Sequence, residues 1–152
     1  MTPADQPVFQ FRRFFKAPPA LVFQAWTDPE FLRNWWGPRH LEIVSCDVDL
    51  RVGGGYRIVH RAPDGQQFAF HGEYREIDPP NRLSSTFVFE GAPDYVAIET
   101  ATFEQVDGGT LVNGTTLYQT IEARDMHVSS GMESGMIESY DRLDELLAKK
   151  QV

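Results

Sequence analysis

The amino-acid sequence predicts an α+β domain, in which a curved seven-stranded antiparallel sheet wraps around a long C-terminal helix and two short helices follow the first strand. Between residues 40 and 120, short segments of alternating or continuous apolar residues are separated by Gly, Pro, Asp and Asn, which is typical of strands joined by turns. The connections are short, which favours antiparallel pairing of successive strands. One stripe of residues recurs at helical spacing instead, namely Met132, Met136, Tyr140, Leu143 and Leu147.

The N-terminal part predicts one strand and two short helices. Phe9 and Phe11 alternate with polar residues, which indicates a strand that ends before Pro18-Pro19. Proline is tolerated in the first turn of a helix, so a helix can begin at this point. Asp28-Pro29 is an N-cap followed by a first-turn proline, and Gly37-Pro38 is a stop signal. The predicted bounds are residues 8–15 for the strand, 18–26 for the first helix and 28–36 for the second helix.

Six further strands and one helix complete the predicted domain. The strands are separated by turn sequences such as Pro63-Asp64-Gly65 and Asp107-Gly108-Gly109. The final helix is expected to run from about residue 123 to residue 149, long enough to cross the whole sheet. Within it, Gly131 and Gly135 flank Met132, although each glycine costs about 1 kcal/mol relative to alanine in a helix. The six strands are predicted over residues 41–50, 55–61, 67–77, 82–90, 95–106 and 110–118.

Composition limits the size, the partners and the location of the protein. A chain of 152 residues suits one domain, 1–152, with a folded core at about residues 8–148. The formal net charge of −8 argues against nucleic acid or an anionic membrane surface as partner. No apolar run predicts membrane insertion, and the N-terminus has no signal-peptide pattern. With the single Cys46, which fits a reducing compartment, these features predict a cytoplasmic protein.

The order of the predicted elements resembles the helix-grip fold of the START-like (SRPBCC) superfamily. Within it, local motifs are similar to bacterial proteins related to the C-terminal domain of the activator of the ninety-kilodalton heat-shock protein ATPase, a stress-response protein. The resemblance covers residues 9–147. The motifs that carry it are Ala17-Pro18, Val22-Phe23, Ala25-Trp26-Thr27-Asp28-Pro29, Trp35-Trp36-Gly37-Pro38, Gly53-Gly54-Gly55-Tyr56, Gly72-Glu73-Tyr74, Pro79-Pro80-Asn81-Arg82-Leu83, Ser130-Gly131-Met132-Glu133 and Tyr140-Asp141-Arg142-Leu143.

The resemblance implies a mostly apolar cavity between the long helix and the concave face of the sheet. It does not imply one activity, because members of the superfamily include ligand binders, transport domains and cyclases. It also raises contact with a chaperone as a function. This chain supplies only the helix-grip unit, with no recognisable additional domain, which argues against that function.

Apolar side chains are the first candidates for the cavity. Phe70 and Tyr74 share one face of their strand, and Phe87 and Phe89 share one face of the next. Met132 and Met136 lie on the helix stripe that faces them. A packed core explains all six residues. The alternative is that the upstream half of the stripe roofs a cavity, because methionine adapts to varied apolar shapes and the two neighbouring glycines leave space.

Two tryptophans form the second candidate. Trp35 and Trp36 precede the Gly37-Pro38 stop, so one ring can pack inside while the other lies near the surface. The same corner would also lie at the cavity mouth. There an indole N–H would orient a ligand, and both interpretations stay open.

Polar and aromatic strand residues form the third candidate. Tyr56, Ile58 and His60 share a face, and Glu99 shares one with two alanines on a central strand. Glu99 is therefore the carboxylate expected to be partly buried. A buried carboxylate needs a partner, for which His60, Arg57 or Tyr118 are the candidates. Such a group would be either a structural hydrogen-bond network or a general acid or base.

Signatures of catalysis and of metal or cofactor binding are absent from the sequence. Gly131-Met132-Glu133-Ser134-Gly135 differs from a nucleophile elbow by one position, and no histidines are spaced as metal ligands. We therefore predict no cofactor and no metal. The first hypothesis is binding of a small lipophilic or aromatic molecule, with a cyclase- or hydrolase-type enzyme as the alternative. Dimerisation through an exposed sheet edge is left open. The predicted ligand-binding residues are Trp35, Trp36, Tyr56, Ile58, His60, Phe70, Tyr74, Phe87, Phe89, Glu99, Tyr118, Met132 and Met136.

Overall fold

A computed structural model describes residues 2–151 and confirms the predicted α+β architecture. Seven strands form one antiparallel sheet, two short helices follow the first strand, and the longest helix is at the C-terminus. The elements are β1 (Val8–Phe15), α1 (Pro19–Thr27), α2 (Pro29–Trp35), β2 (Glu42–Val48), β3 (Gly55–Arg61), β4 (Gln67–Asp78), β5 (Arg82–Phe89), β6 (Ala97–Val106), β7 (Gly109–Leu117), α3 (Ile121–Ser129) and α4 (Met132–Lys150).

The strands from β2 to β7 form the expected meander, and β1 is added beside β7. The order across the sheet is β1-β7-β6-β5-β4-β3-β2, so β1 and β2 are the two edges. The pairing register shifts between Ile43 and Ser45 on β2 and between Tyr74 and Glu76 on β4. Irregularities of this kind bend a strand and increase its twist. They bring the two halves of the sheet around one concave face.

The two short helices begin and end within one residue of the predicted bounds. The side chain of Asp28 accepts a hydrogen bond of 2.9 Å from the N–H of Glu30 and so caps α2. After α2, Gly37 has a φ of 95°, the left-handed conformation that glycine adopts without strain. Trp35 Nε1 donates to the carbonyl oxygen of Ala25 at 2.9 Å, which joins α2 to α1. The two helices therefore form one packed unit.

The C-terminal segment differs from the prediction of one helix over about residues 123–149. That prediction is wrong, because α3 ends at Ser129 and α4 begins at Met132. Gly131 has a φ of 89°, which places it in the left-handed region and interrupts the helical hydrogen bonds. Gly131 is thus the residue that precedes α4, whereas Gly135 lies within it.

The main core lies under the downstream half of α4. Leu143 and Leu147 are 0% and 1% exposed, and they pack in one cluster with Phe15, Val22 and Val112. Each fully buried aliphatic side chain contributes roughly 1.5–3 kcal/mol through removal of apolar surface from water. The downstream half of the predicted stripe is therefore the anchor of the helix. The upstream half lies over a different environment.

Candidate functional site

A cavity of about 840 Å³ separates the upstream part of α4 from the concave face of the sheet. Strands β3 to β7 form its floor, and Met132, Gly135 and Met136 are part of its roof. A Cβ atom added at Gly135 would meet no other atom within 4 Å, so this glycine leaves open space. The volume lies within the roughly 300–1,000 Å³ that is typical of small-molecule sites.

All thirteen residues that the sequence predicted for the site line this one cavity. Trp35 also belongs to the buried core, with 2% of its surface exposed, whereas Trp36 is only partly buried. The two tryptophans thus lie in different environments at one corner of the cavity. The thirteen residues are Trp35, Trp36, Tyr56, Ile58, His60, Phe70, Tyr74, Phe87, Phe89, Glu99, Tyr118, Met132 and Met136.

Aromatic rings in contact with one another form one continuous wall. The ring centroid of Trp36 lies 5.1 Å from those of both His60 and Phe70. Phe70 stacks on Phe87 with centroids 5.8 Å apart, and Phe87 stacks on His127 with centroids 6.1 Å apart. These separations are those of favourable ring pairs. Flat apolar surface therefore extends from α2 across β4 and β5 to α3.

A row of polar residues crosses the centre of the floor. On β6, Glu99 is paired with Ser85 of β5 on one side and with Thr116 of β7 on the other. Directly opposed residues have Cβ atoms about 4.5–5.5 Å apart and share a face of the sheet. Ser85 and Thr116 are buried, with 8% and 6% of their surface exposed. One carboxylate flanked by two hydroxyl groups therefore lies within a mostly apolar cavity.

Burial raises the pKa of Glu99 to about 7. Protein surrounds the carboxyl group, yet more than a third of the side-chain surface is accessible, because that surface faces the open space of the cavity. Burial, followed by the charge of Glu99, also raises the pKa values of Tyr118 and Tyr140. Within residues 2–151, Glu99 has no hydrogen-bond or ion-pair partner. The carboxylate is therefore poorly stabilised by its own chain.

The partners that the sequence suggested for Glu99 are engaged elsewhere. Arg57 lies on the outer face and donates two hydrogen bonds to Glu90, at 2.9 and 3.0 Å. Hydrogen bonds from Arg57 and then His71 lower the pKa of Glu90 to about 2. His60 Nε2 lies 3.3 Å from the carbonyl oxygen of Trp36. The expected pairing of Glu99 with Arg57 or His60 is wrong, because strand alternation and helix contacts direct those side chains elsewhere.

Tyr118 and His127 form a polar pair at the α3 side of the cavity. The phenolic oxygen lies 2.6 Å from His127 Nδ1. Burial lowers the pKa of His127, so the neutral imidazole accepts the hydrogen bond from the phenol. This pair joins the end of β7 to α3 and leaves Glu99 without a direct contribution from Tyr118.

Residues 16–148 match the family described as Activator of Hsp90 ATPase homolog 1-like protein. The chain belongs to this family. Among curated proteins, none was found to match this chain. A similar crystal structure, of a protein from Rhodobacter sphaeroides, has 31% sequence identity and a TM-score of 0.90, with 97% of this chain and 96% of that chain covered.

Two further proteins share the architecture of this Activator of Hsp90 ATPase homolog 1-like chain. A protein from Nitrosomonas europaea has 26% identity and a TM-score of 0.87, with 97% of each chain covered. A protein from Mycobacterium smegmatis has 28% identity and a TM-score of 0.86, with 97% of this chain and 94% of that chain covered. These likenesses place the chain in the START-like superfamily.

Several residues of the site in this family member were missed by sequence reasoning. Tyr140 lies on the predicted helical stripe but was not among the predicted site residues, yet it lines the cavity. The sequence pattern did not indicate that Ser85 and Thr116 line the cavity, because small hydroxyl residues occur on exposed strand faces as well as on buried ones. Their role depends on cross-strand register, which a single sequence does not show. Other lining residues that sequence reasoning missed include Phe9, Phe11, Tyr95, Val96 and Met126.

Residues 2–151 contain neither a membrane-spanning helix nor a candidate metal site. No helix there is both long and apolar enough to cross a membrane. No group of three or more His, Cys, Asp or Glu side chains is arranged to hold a metal ion.

Proposed function

We propose that this protein binds a small lipophilic or aromatic molecule in the cavity between α4 and the sheet. The observation that carries the proposal is the cavity of about 840 Å³ walled by the ring series from Trp36 to His127. Apolar walls of this size lose contacts when they are left empty and gain them when an apolar body enters. The bound molecule would be held mainly by ring contacts and by the methionines of the roof.

Access to the cavity supports the same function. Tyr95, Val96 and Met126 line the cavity and are 49%, 37% and 50% exposed. These residues lie on the loop between β5 and β6 and on α3, so they mark the entrance. A rim of exposed apolar side chains is typical of a site that receives an apolar molecule from water.

The test is binding of a panel of lipophilic metabolites, measured by thermal unfolding and native mass spectrometry. A ligand at a hundredfold excess over its Kd should raise the free energy of unfolding by about 2.7 kcal/mol. Gly135→Phe should fill the open space beside that residue and abolish the shift. Glu133→Phe, on the exposed side of the same helical turn, is the matched control and should keep it. If no panel member stabilises the protein, ligand binding is not its function.

A cyclase- or hydrolase-type enzyme is the second candidate, favoured by the raised pKa of Glu99. A carboxyl group that is half protonated near neutral pH is suited to general acid–base catalysis. In the described part of the chain, however, no second group is hydrogen-bonded to it. Ligand binding therefore has the stronger support. Any bound ligand should be recovered chemically unchanged after prolonged incubation, and conversion that is lost in Glu99→Gln would favour the enzyme.

A further inference from the structure

Glu99 holds a position in the cavity that packing alone does not explain. Its neighbours along β6, Ala97 and Ala101, face the same way and are only 5% and 9% exposed. Glu99 lies between these two alanines at the centre of the floor, a position at which a third small apolar residue would pack well. Removing a carboxylate from bulk water is costly unless another group binds it. Because no group of residues 2–151 does so, its partner comes from outside this chain, either as water or as a bound ligand.

The charge of the lining indicates the chemistry of that partner. Among the described residues that line the cavity, Glu99 is the sole carboxylate, and neither lysine nor arginine is present. Burial lowers the pKa values of His60 and His127, so both are neutral at pH 7. An anionic ligand would meet a like charge with no lysine or arginine in the lining to offset it. A cationic ligand would meet an unpaired opposite charge.

The polar row also fits the number of donors on an ammonium group. A primary ammonium has three N–H donors and no acceptor. Glu99 and the hydroxyl oxygens of Ser85 and Thr116 offer three neighbouring acceptors on one face of the sheet. The aromatic wall passes beside them at Phe87, which is paired with Ala97 on the adjoining strand. One end of a ligand would thus be polar and the other would lie against rings.

We propose that the ligand is a lipophilic primary amine, whose ammonium group is bound by Glu99 with Ser85 and Thr116 while its aromatic or aliphatic body fills the cavity. This inference rests on the proposed function of the cavity and specifies the class of molecule. The carboxylate is the specificity determinant, because the rings and methionines accept apolar bodies of many shapes. The bound ammonium supplies the partner that Glu99 lacks in the free protein.

The experiment compares two series of ligands that differ only in the polar end. The aromatic series is 1-pyrenemethylamine, 1-pyrenemethanol and 1-pyrenecarboxylic acid, and the aliphatic series is dodecylamine, dodecanol and dodecanoic acid. Affinities are measured at pH 7.5 by fluorescence titration or calorimetry. Wild type should bind each amine about tenfold or more tightly than the matching alcohol, and each acid more weakly still.

Glu99→Gln separates the inference from the underlying function. The variant should lose the preference for amines and keep its affinity for the alcohols. Glu104→Gln, an exposed carboxylate on the same strand, is the matched control and should behave as wild type. If alcohols bind but amines have no advantage, or if Glu99→Gln keeps that advantage, the amine inference is overturned and the binding function stands. If none of the six compounds binds, both are overturned.

Discussion

The carbonyl oxygen of Gly37 accepts a hydrogen bond of 2.7 Å from Arg142 Nη1, which joins the loop after α2 to α4. The N–H of the same glycine donates to Ser139 Oγ at 2.8 Å. Gly37 also lies against the ring of His60, since a Cβ atom at this position would be 2.6 Å from Nε2. The corner of the cavity where α2, β3 and α4 meet is therefore organised around a residue without a side chain.

Gly37→Ala should destabilise the protein by about 2 kcal/mol or more. The φ of 95° strains any residue with a Cβ atom, and the added methyl group overlaps the ring of His60. Gly65→Ala is the matched control, because its φ is 90° but its Cβ would meet nothing within 4 Å. Gly65→Ala should lower the free energy of unfolding, measured with urea, by about 1 kcal/mol. Equal costs at the two positions would contradict close packing of Gly37 on His60.

Glu99→Gln should stabilise the ligand-free protein at alkaline pH and have little effect at pH 4. The folded-state pKa of about 7 lies above the ordinary value of 4.5, so the folded protein binds the proton more tightly than the unfolded chain. The stability of wild type therefore falls as pH rises from about 4.5 to 7. Since the side chain faces open cavity space, screening reduces the difference to about 1 kcal/mol at pH 8.

This pH effect must be isolated from other titrating groups around the cavity. His60 and His127 have lowered pKa values, so their contribution to the stability of the protein is lost as the pH falls. This pH dependence is opposite in sign to that of Glu99. The tyrosines near Glu99 are Tyr56 on β3, Tyr118 just after β7 and Tyr140 on α4, and their raised pKa values keep them neutral throughout. The difference between Glu99→Gln and wild type, measured by urea unfolding from pH 4 to 8, cancels these contributions. A difference independent of pH would contradict the raised pKa of Glu99.

The two glycines near the start of α4 should respond oppositely to alanine. Gly135→Ala should raise the free energy of unfolding by roughly 0.5–1 kcal/mol, because alanine favours a helix and its methyl group enters open space. Gly131→Ala should lower it by about 1 kcal/mol, because the φ of 89° strains alanine. Thermal unfolding of both variants makes the comparison. Stabilisation by both would indicate that α3 and α4 form one continuous helix.

The two tryptophans at the cavity corner should separate stability from binding. Trp35→Phe should cost about 2 kcal/mol, because it leaves the carbonyl oxygen of Ala25 without its buried donor and creates a void. Trp36→Phe should cost less than 1 kcal/mol, since its ring is only partly buried, but weaken ligand affinity several-fold. Urea unfolding and ligand titration of both variants test this. If Trp36→Phe lost the stability and Trp35→Phe lost the ligand affinity, the site would lie away from Trp36.

Much of the fold could be predicted from local patterns, because turns and apolar periods are properties of neighbouring residues. The predicted strand 8–15 and the later strand 55–61 have the bounds of β1 and β3. The break between α3 and α4 was missed, because the stripe from Met132 to Leu147 hides where the helix starts. A glycine that begins a helix and a glycine inside one look alike in a short window.

Part of the site could also be predicted, because the alternation of residues along one strand is a local property. Aromatic residues on one strand face identify the concave side, so the lining residues Phe70 and Phe87 were found from alternation alone. The environment of Glu99 was not, because its neighbours Ser85 and Thr116 come from strands whose register a single sequence does not show. Whether a carboxylate has a partner depends on the distances between side chains on neighbouring strands, which this register sets. Burial of this carboxylate could be expected, whereas its lack of a partner could not.

The pairing of β1 with β7 has a consequence for folding during synthesis on the ribosome. Arg12 and Asn113 face each other in the sheet, although 101 positions separate them in the chain. At about 5–20 residues per second, a ribosome needs about 5–20 s to make the segment between them. During that time the phenylalanine-rich first strand has no partner. Completion of the sheet must therefore follow synthesis of nearly the whole chain, and the nascent first strand is the segment that most needs protection from aggregation.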